Sequence, residues 1–478
     1  MPAAPLYLNG AWVETGSSRP ICNPANGEPV GAISLGTRGH AARAIADAHT
    51  AFLAWRELPG KTRGQHLDRI AAFLEARKDA VARTITLENG KPLAQSAGET
   101  AMAVDHLRWF AEEAKRAYGR VVPNQVDGKR HLVIKSPMGV VGAISPWNFP
   151  LALAVRKIAP ALAAGCTVVL KPATQTPLCA VAFAECVHEA GLPAGVFQLV
   201  VGPSAEIGAE FLSNPRCRKV TFTGSTEVGR QLIAGAAETV KPLSLELGGH
   251  APVLVFDDAA VKRAVEGTMI AKFRNTGQSC IAANRIYVQN GIYDRFLQAF
   301  VERVKALKVG NGLEPGVEIG PLIDQAGLDK ALEHVRDAVA RGAKLLTGGE
   351  RVPPHEGFFL SPAVLADVPD GAACMTEETF APIAVLRRFA TEQEAIEQAN
   401  DSVYGLSAYV FTQSIDRAWR VIEKLDAGTI GLNDGLPTTS QCPFGGAKQS
   451  GWGRELGTEG MDAFLETKHI AMALDPQL

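Results

Sequence analysis

Between Gly139 and Gly249 the chain alternates short apolar runs with amphipathic stretches, a pattern that few architectures can accommodate. Residues 140–144, 167–170, 196–201, 219–222 and 244–247 read as strands buried on both faces. Residues 150–163, 177–189, 204–212 and 225–237 carry apolar side chains at helical spacing between them. Strand and helix in strict alternation predict a parallel, doubly wound sheet, because parallel neighbours need a long crossover and a helix supplies it. Ligands of such sheets sit beyond the carboxyl ends of the strands. The loops at 145–149, 171–176, 202–203 and 223–225 are therefore the candidate floor of a ligand site.

The rest of the chain is arranged around this block. Residues 6–35 read as short strands broken by Asn-Gly and Pro-Ala-Asn-Gly turns, and residues 40–117 as helices whose buried faces carry Ile45, Ala48, Phe52 and Trp55, then Leu67, Ile70 and Leu74, then Val81 and Ile85. Residues 119–135 read as a hairpin-like ribbon, a candidate subunit contact. A second α/β region begins near residue 249, with a strand at 252–256, a helix at 259–272, a loop around Cys280, a strand at 286–289 and a helix at 293–307. Further strands are expected at 406–412 and 428–433. The run at 468–474 reads as a strand that pairs with another chain or with the ribbon at 119–135.

At 478 residues the chain is too long for one ordinary core, so two large domains are expected. A net charge of -2 offers no basic stripe for nucleic acid and no polybasic membrane patch. Without a signal-like start or a long apolar span, the expected setting is the cytoplasm and the expected partner a small molecule. The eight cysteines form no Cys-x-x-Cys pair and no Cys/His cluster at ligand spacing, so no metal site is expected and the thiols read as free.

One thiol stands apart. Cys280 follows Gly277-Gln278-Ser279, small neighbours in a loop that would let a substrate carbon approach the sulfur. Read from its own surroundings, Cys280 is equally a small apolar residue, Asn148 an N-cap or turn residue, and Glu246 a buried ion-pair partner. Other segments change the weight of these readings: Pro146-Trp147-Asn148-Phe149-Pro150, Lys171-Pro172-Ala173, the run from Phe222 to Gly229, Leu245-Glu246-Leu247-Gly248-Gly249, Gly277-Gln278-Ser279-Cys280 and Glu377-Glu378-Thr379-Phe380. In order and spacing these resemble the aldehyde dehydrogenase superfamily, and their flanks are most similar to its succinate-semialdehyde dehydrogenase branch.

The resemblance implies a Rossmann-type cofactor domain over residues 1–118 and 138–248, an α/β catalytic domain over 249–437, and a small β oligomerisation arm from 119–137 with 463–478. It implies a homodimer or homotetramer. It also implies that Cys280 is the nucleophile, Asn148 the oxyanion donor and Glu246 the base that activates water. Cofactor contacts carried over are Ser145, Pro146, Trp147, Asn148, Lys171, Ala173, Thr174, Gly202, Gly224, Ser225, Val228, Leu247, Glu378 and Phe380. The Gly224 to Gly229 turn is Gly-x-x-x-x-Gly rather than the usual dinucleotide fingerprint, which is the normal form in this superfamily. Where NAD-preferring relatives often carry Glu, this chain has Thr174; with no carboxylate to repel a 2′-phosphate and Lys171 nearby, NADP is favoured, with NAD as the alternative.

In the succinate-semialdehyde branch arginines hold the distal carboxylate, and Arg156 and Arg285 occupy the matching positions. Ala282 stands where such enzymes often carry a second cysteine, so no local disulfide switch can form. Relatives acting on 2-oxoglutarate semialdehyde share Glu246 to Pro252, which keeps other semialdehydes, glutarate semialdehyde among them, and general aldehydes open. A cofactor-free Cys hydrolase is a rival that predicts a Cys/His pair and no nucleotide loops. CoA-acylating relatives usually lack the Glu at position 246.

Overall fold

The computed structural model describes residues 2–353 and 356–474. Its central feature is an eight-stranded sheet in which Phe197–Leu199, Thr167–Lys171, Val140–Ile144, Cys217–Thr223 and Leu243–Glu246 lie side by side and parallel. The alternation at 139–249 thus folds as expected, with element ends displaced by a residue or a few. The strand expected at 196–201 is shorter, and that expected at 244–247 ends at Glu246, where Gly248 and Gly249 break the extended pattern. Antiparallel pairs close both sides: Leu6–Leu8 with Ala11–Val13 at one, Gly451–Trp452 at the other.

The crossover helices Ala152–Ala164 and Leu178–Glu189 are apolar on most faces because they are sandwiched between this sheet and an N-terminal helical layer. That layer holds Arg38–Trp55, Gly60–Ala76, Lys78–Asn89 and Leu93–Glu113, and every apolar residue singled out on it is buried. Two buried carboxylates cap crossover helices across the layer. Glu88 accepts from the amides of Leu178 and Cys179, and Glu99 from those of Leu151 and Ala152.

Between Glu246 and Ala251 the chain leaves this sheet for a seven-stranded one, in which Ala363–Ala366, Ile383–Phe389, Ala283–Gln289, Ala251–Val255, Ser407–Phe411 and Thr429–Leu432 run parallel. A third, antiparallel sheet joins Arg120–Val122, Lys129–Pro137 and Leu465–Ala473. The last strand therefore pairs with its own chain's ribbon, in register from Leu465↔Pro137 to Ala473↔Lys129. The end of the expected arm, residues 475–478, lies outside the described residues. Among the described residues no helix is long and apolar enough to cross a membrane.

Candidate active site

The helix Val261–Phe273 ends in a kinked turn whose next residues, Asn275, Thr276 and Gly277, all have positive φ (51°, 59° and 72°). Left-handed backbone at Asn and Thr is costly, and it persists here because the turn is tied down from several sides. Gln95 accepts from the Asn275 amide at 2.7 Å, the Thr276 hydroxyl bridges both backbone groups of Gly320, and the Gln278 side chain accepts from Ile323. Gly277 packs so closely that an added Cβ would meet the Ala381 carbonyl at 2.3 Å. Tyr409 donates to the Ile281 carbonyl at 2.8 Å beyond the thiol. The result is a rigid loop that presents Cys280, partly exposed, where two cavities meet.

On one side lies a cavity of about 220 Å³ lined by Pro146, Trp147, Asn148, Gly224, Ser225, Leu247, Glu378 and Phe380, all expected as cofactor contacts, and by Thr223 and Gly248, which belong to the same motifs but were not assigned a contact. It opens at the carboxyl ends of the parallel strands. Trp147 and Phe380 meet edge to face at 5.4 Å, and Ser225 caps the helix Thr226–Ala236 by accepting from the Val228 amide. Glu378 accepts from the Gly249 amide at 3.0 Å, and burial pushes its carboxyl up to about 7. Ser145, Lys171, Ala173, Thr174, Gly202 and Val228 do not line this cavity but follow or flank the same strand ends. Lys171 donates to Ser204 at 2.6 Å, and burial lowers its ammonium to about 8. The Ser145 hydroxyl is buried without a partner. Aromatic walls, a helix amino terminus and a lysine with donors to spare suit a dinucleotide.

The side chain of Asn148 reaches the same cavity. Lys91 and Asn275 both hold its backbone carbonyl, at 2.6 and 2.8 Å, so the loop cannot turn away. One side-chain N–H donates to the Gln278 carbonyl at 3.2 Å, leaving the other for a ligand. Glu246 ends its strand opposite Gly451, buried, with Oε2 unpartnered among the described residues. Burial first, then the nearby Glu455, holds its carboxyl well above the usual range, opposed by Lys157, Arg454 and Arg156. Burial also pushes the Cys280 thiol up to about 12, with Glu378, Glu246 and Glu455 adding to the effect and Arg156 opposing it.

On the other side of Cys280 a small space of about 30 Å³ is walled by Met102, Phe149, Ala152, Leu153, Arg156, Arg274, Ser279, Ile281, Thr438 and Phe444. Met102, Arg274 and Thr438 also line a channel of about 680 Å³ that leads outward. Arg156 is 5% exposed and stacks over Phe444; Arg274 stacks over Phe149 at 4.9 Å. Among the described residues neither guanidinium forms an ion pair, and the Thr438 hydroxyl is buried without a partner. Two cations facing one small space, with no ion-paired carboxylate among the described residues, ask for an anion.

Arg285 does not take part. Its guanidinium is buried against the carbonyls of His250, Gln398, Ala399 and Asp401, on the far face of its strand, so the expectation that it faces the substrate is corrected. Five residues past Cys280 the chain is already extended, and strand parity sends the side chain to the helix Glu392–Asn400. Arg274, which the sequence reading left unassigned, stands in its place because the kink after Phe273 turns it inward. Nor is any histidine hydrogen-bonded to Cys280 among the described residues; the nearest in sequence, His250, bonds the Cys374 carbonyl.

The family model for the aldehyde dehydrogenase family matches residues 12–470. The chain belongs to the aldehyde dehydrogenase family. This aldehyde dehydrogenase is 48% identical over 470 residues to the glutarate-semialdehyde dehydrogenase of Pseudomonas putida, an alignment covering 98% of this chain and 97% of that one. It is 47% identical over 471 residues to the NADP(+) succinate-semialdehyde dehydrogenase of Escherichia coli, with 98% and 97% covered. A solved NADP-dependent enzyme of E. coli superposes with a TM-score of 0.97 at 46% identity, covering 99% of this chain and 98% of that one. The fold is thus that of aldehyde dehydrogenases, and the activity is aldehyde oxidation.

Proposed function

We propose that this aldehyde dehydrogenase oxidises a short aldehyde bearing a distal carboxylate, succinate semialdehyde first among them, with NADP favoured over NAD. The observation that carries this reading is the pair Arg156, buried, and Arg274, half-buried, two guanidinium groups that line the space beside Cys280 and form no ion pair among the described residues. The Cys280 thiolate adds to the aldehyde carbon, and the second N–H of Asn148 stabilises the oxyanion that forms. A nicotinamide cofactor, when bound, supplies the hydride acceptor; Trp147, Ser225, Glu378 and Phe380 would hold it. Glu246 then takes a proton from water, which attacks the thioester carbon, and the sulfur leaves as the acid is released.

NADP preference is supported by Thr174 where a carboxylate would repel a 2′-phosphate, and by Lys171 beside Ser204. The test is a steady-state panel of succinate semialdehyde, glutarate semialdehyde and butanal with both cofactors. A kcat/KM for succinate semialdehyde no better than for butanal would remove the anion-pocket reading, and an NAD preference would remove the cofactor reading. The division into cofactor, catalytic and arm segments is part of the same proposal, supported by the separate eight-, seven- and three-stranded sheets, and the ribbon with Leu465–Ala473 is proposed to join copies into a dimer or tetramer. Eight unpaired thiols support a reducing, cytoplasmic setting.

A further inference from the structure

Among the described residues Arg156 forms no ion pair, and a chain of contacts from elements far apart in sequence links its Nε to a carboxylate. Its Nε lies 3.2 Å from Nε2 of His106. Nδ1 of His106 lies 2.7 Å from the hydroxyl of Ser440, which in turn bonds the carboxylate of Asp105. Only one arrangement of protons satisfies all three contacts. The Arg156 Nε–H can only donate, so Nε2 of His106 must accept and Nδ1 must carry the proton. Asp105 can only accept, so the Ser440 hydroxyl donates to it and accepts from Nδ1–H. Every donor therefore points from the arginine toward the carboxylate, with a neutral imidazole between two opposite charges.

His106 and Ser440 are buried, so the two His106 contacts are largely shielded from water, whereas Asp105 is exposed on the wall of the outer channel. The arginine's Nε is thereby committed, one terminal nitrogen lies 3.8 Å from the Met102 sulfur, a weak acceptor, and the guanidinium lines the small space beside Cys280.

We propose that Asp105, Ser440 and His106 form a positioning relay that fixes Arg156 in the orientation needed to grip a substrate carboxylate. The relay therefore sets the discrimination between carboxylated and uncharged aldehydes. This rests on the reading of Arg156 as an anion-binding residue, and the two can be separated. None of the three touches the reacting atoms, so the effect belongs in substrate affinity and not in the chemical step.

The experiment compares kcat/KM for succinate semialdehyde with that for butanal, a chain of matching length without the charge. His106→Leu is expected to raise KM for the semialdehyde on the order of tenfold, as for a buried donor deprived of its partner, with kcat and the butanal kinetics held within about twofold. Ser440→Ala, which cuts the relay without touching Arg156, should give a smaller shift of the same kind. Unchanged butanal turnover reports that each variant is folded. In Arg156→Ala, adding His106→Leu should cost nothing further. If Arg156→Ala lowers the ratio but His106→Leu and Ser440→Ala do not, the relay is refuted and the anion pocket stands. If Arg156→Ala itself leaves the ratio unchanged, the underlying reading is the one that fails. Equal losses on both aldehydes in Ser440→Ala would also overturn the relay, since they would mark a merely structural contact.

Discussion

The carboxyl of Glu246 is raised by burial and by Glu455, so its proton-accepting form accumulates only as pH rises through that elevated value. The deacylation step should follow, with kcat increasing with pH over a range where an ordinary surface carboxylate is already ionised. Glu246→Gln is expected to retain a burst of about one cofactor reduced per active site while steady-state turnover drops on the order of a hundredfold and loses its rising limb. Stopped-flow absorbance checks both; loss of the burst would move Glu246 to the thiol-activating step. Arg285 makes the opposite forecast. Its side chain satisfies four backbone carbonyls, so Arg285→Met should lower stability by about 3 kcal/mol while leaving the ratio of semialdehyde to butanal kcat/KM unchanged. Chemical denaturation and the substrate panel read the two halves separately. Both arginines were visible in the sequence, but which one faced Cys280 depended on strand parity and on a kink, and neither is a property of residue type.

The element that matters most for catalysis is the turn between Phe273 and Ala283. Its three successive positive-φ residues hold the thiol still because the side chains of Gln95 and Tyr409 and the backbone amides of Gly320 and Ile323 bond to the turn. Gly277→Ala would add left-handed strain and drive a methyl into the Ala381 carbonyl. The variant should lose roughly 1–3 kcal/mol of stability and, in the fraction that folds, react more slowly with a thiol-directed alkylating reagent. Thermal melting and the alkylation rate check this; an unchanged alkylation rate would mean that the strain does not serve to place the sulfur. Gly-Gln-Ser ahead of a cysteine made the loop legible. What the local pattern could not show is that Asn275 and Thr276 also turn left-handed, because residues with a Cβ adopt that backbone only when distant contacts hold them there.

Across the whole molecule, the ladder from Lys129–Pro137 to Leu465–Ala473 is the longest among the described residues, yet Tyr118, Val121 and Val126 near it are exposed. Ending the chain after Asp462 should leave the ribbon with an unpaired edge and convert the proposed oligomer to monomers, measured by light scattering on the eluting protein. An unchanged mass would separate the arm from assembly. Legible without any coordinates were the alternation of strand and helix, and with it the parallel sheet and the ligand loops, because periodicity and turn chemistry are local. The motifs carrying Cys280, Glu246 and Asn148 were legible because their order and spacing resemble the aldehyde dehydrogenase superfamily, not from their local surroundings. Packing alone decided that Arg274 replaces Arg285 beside the thiol, and that Ser440 meets Asp105 across a separation of 335 residues. Such contacts arise where kinks and strand ends bring separate layers together. No periodicity in the chain encodes which side chains will then face one another.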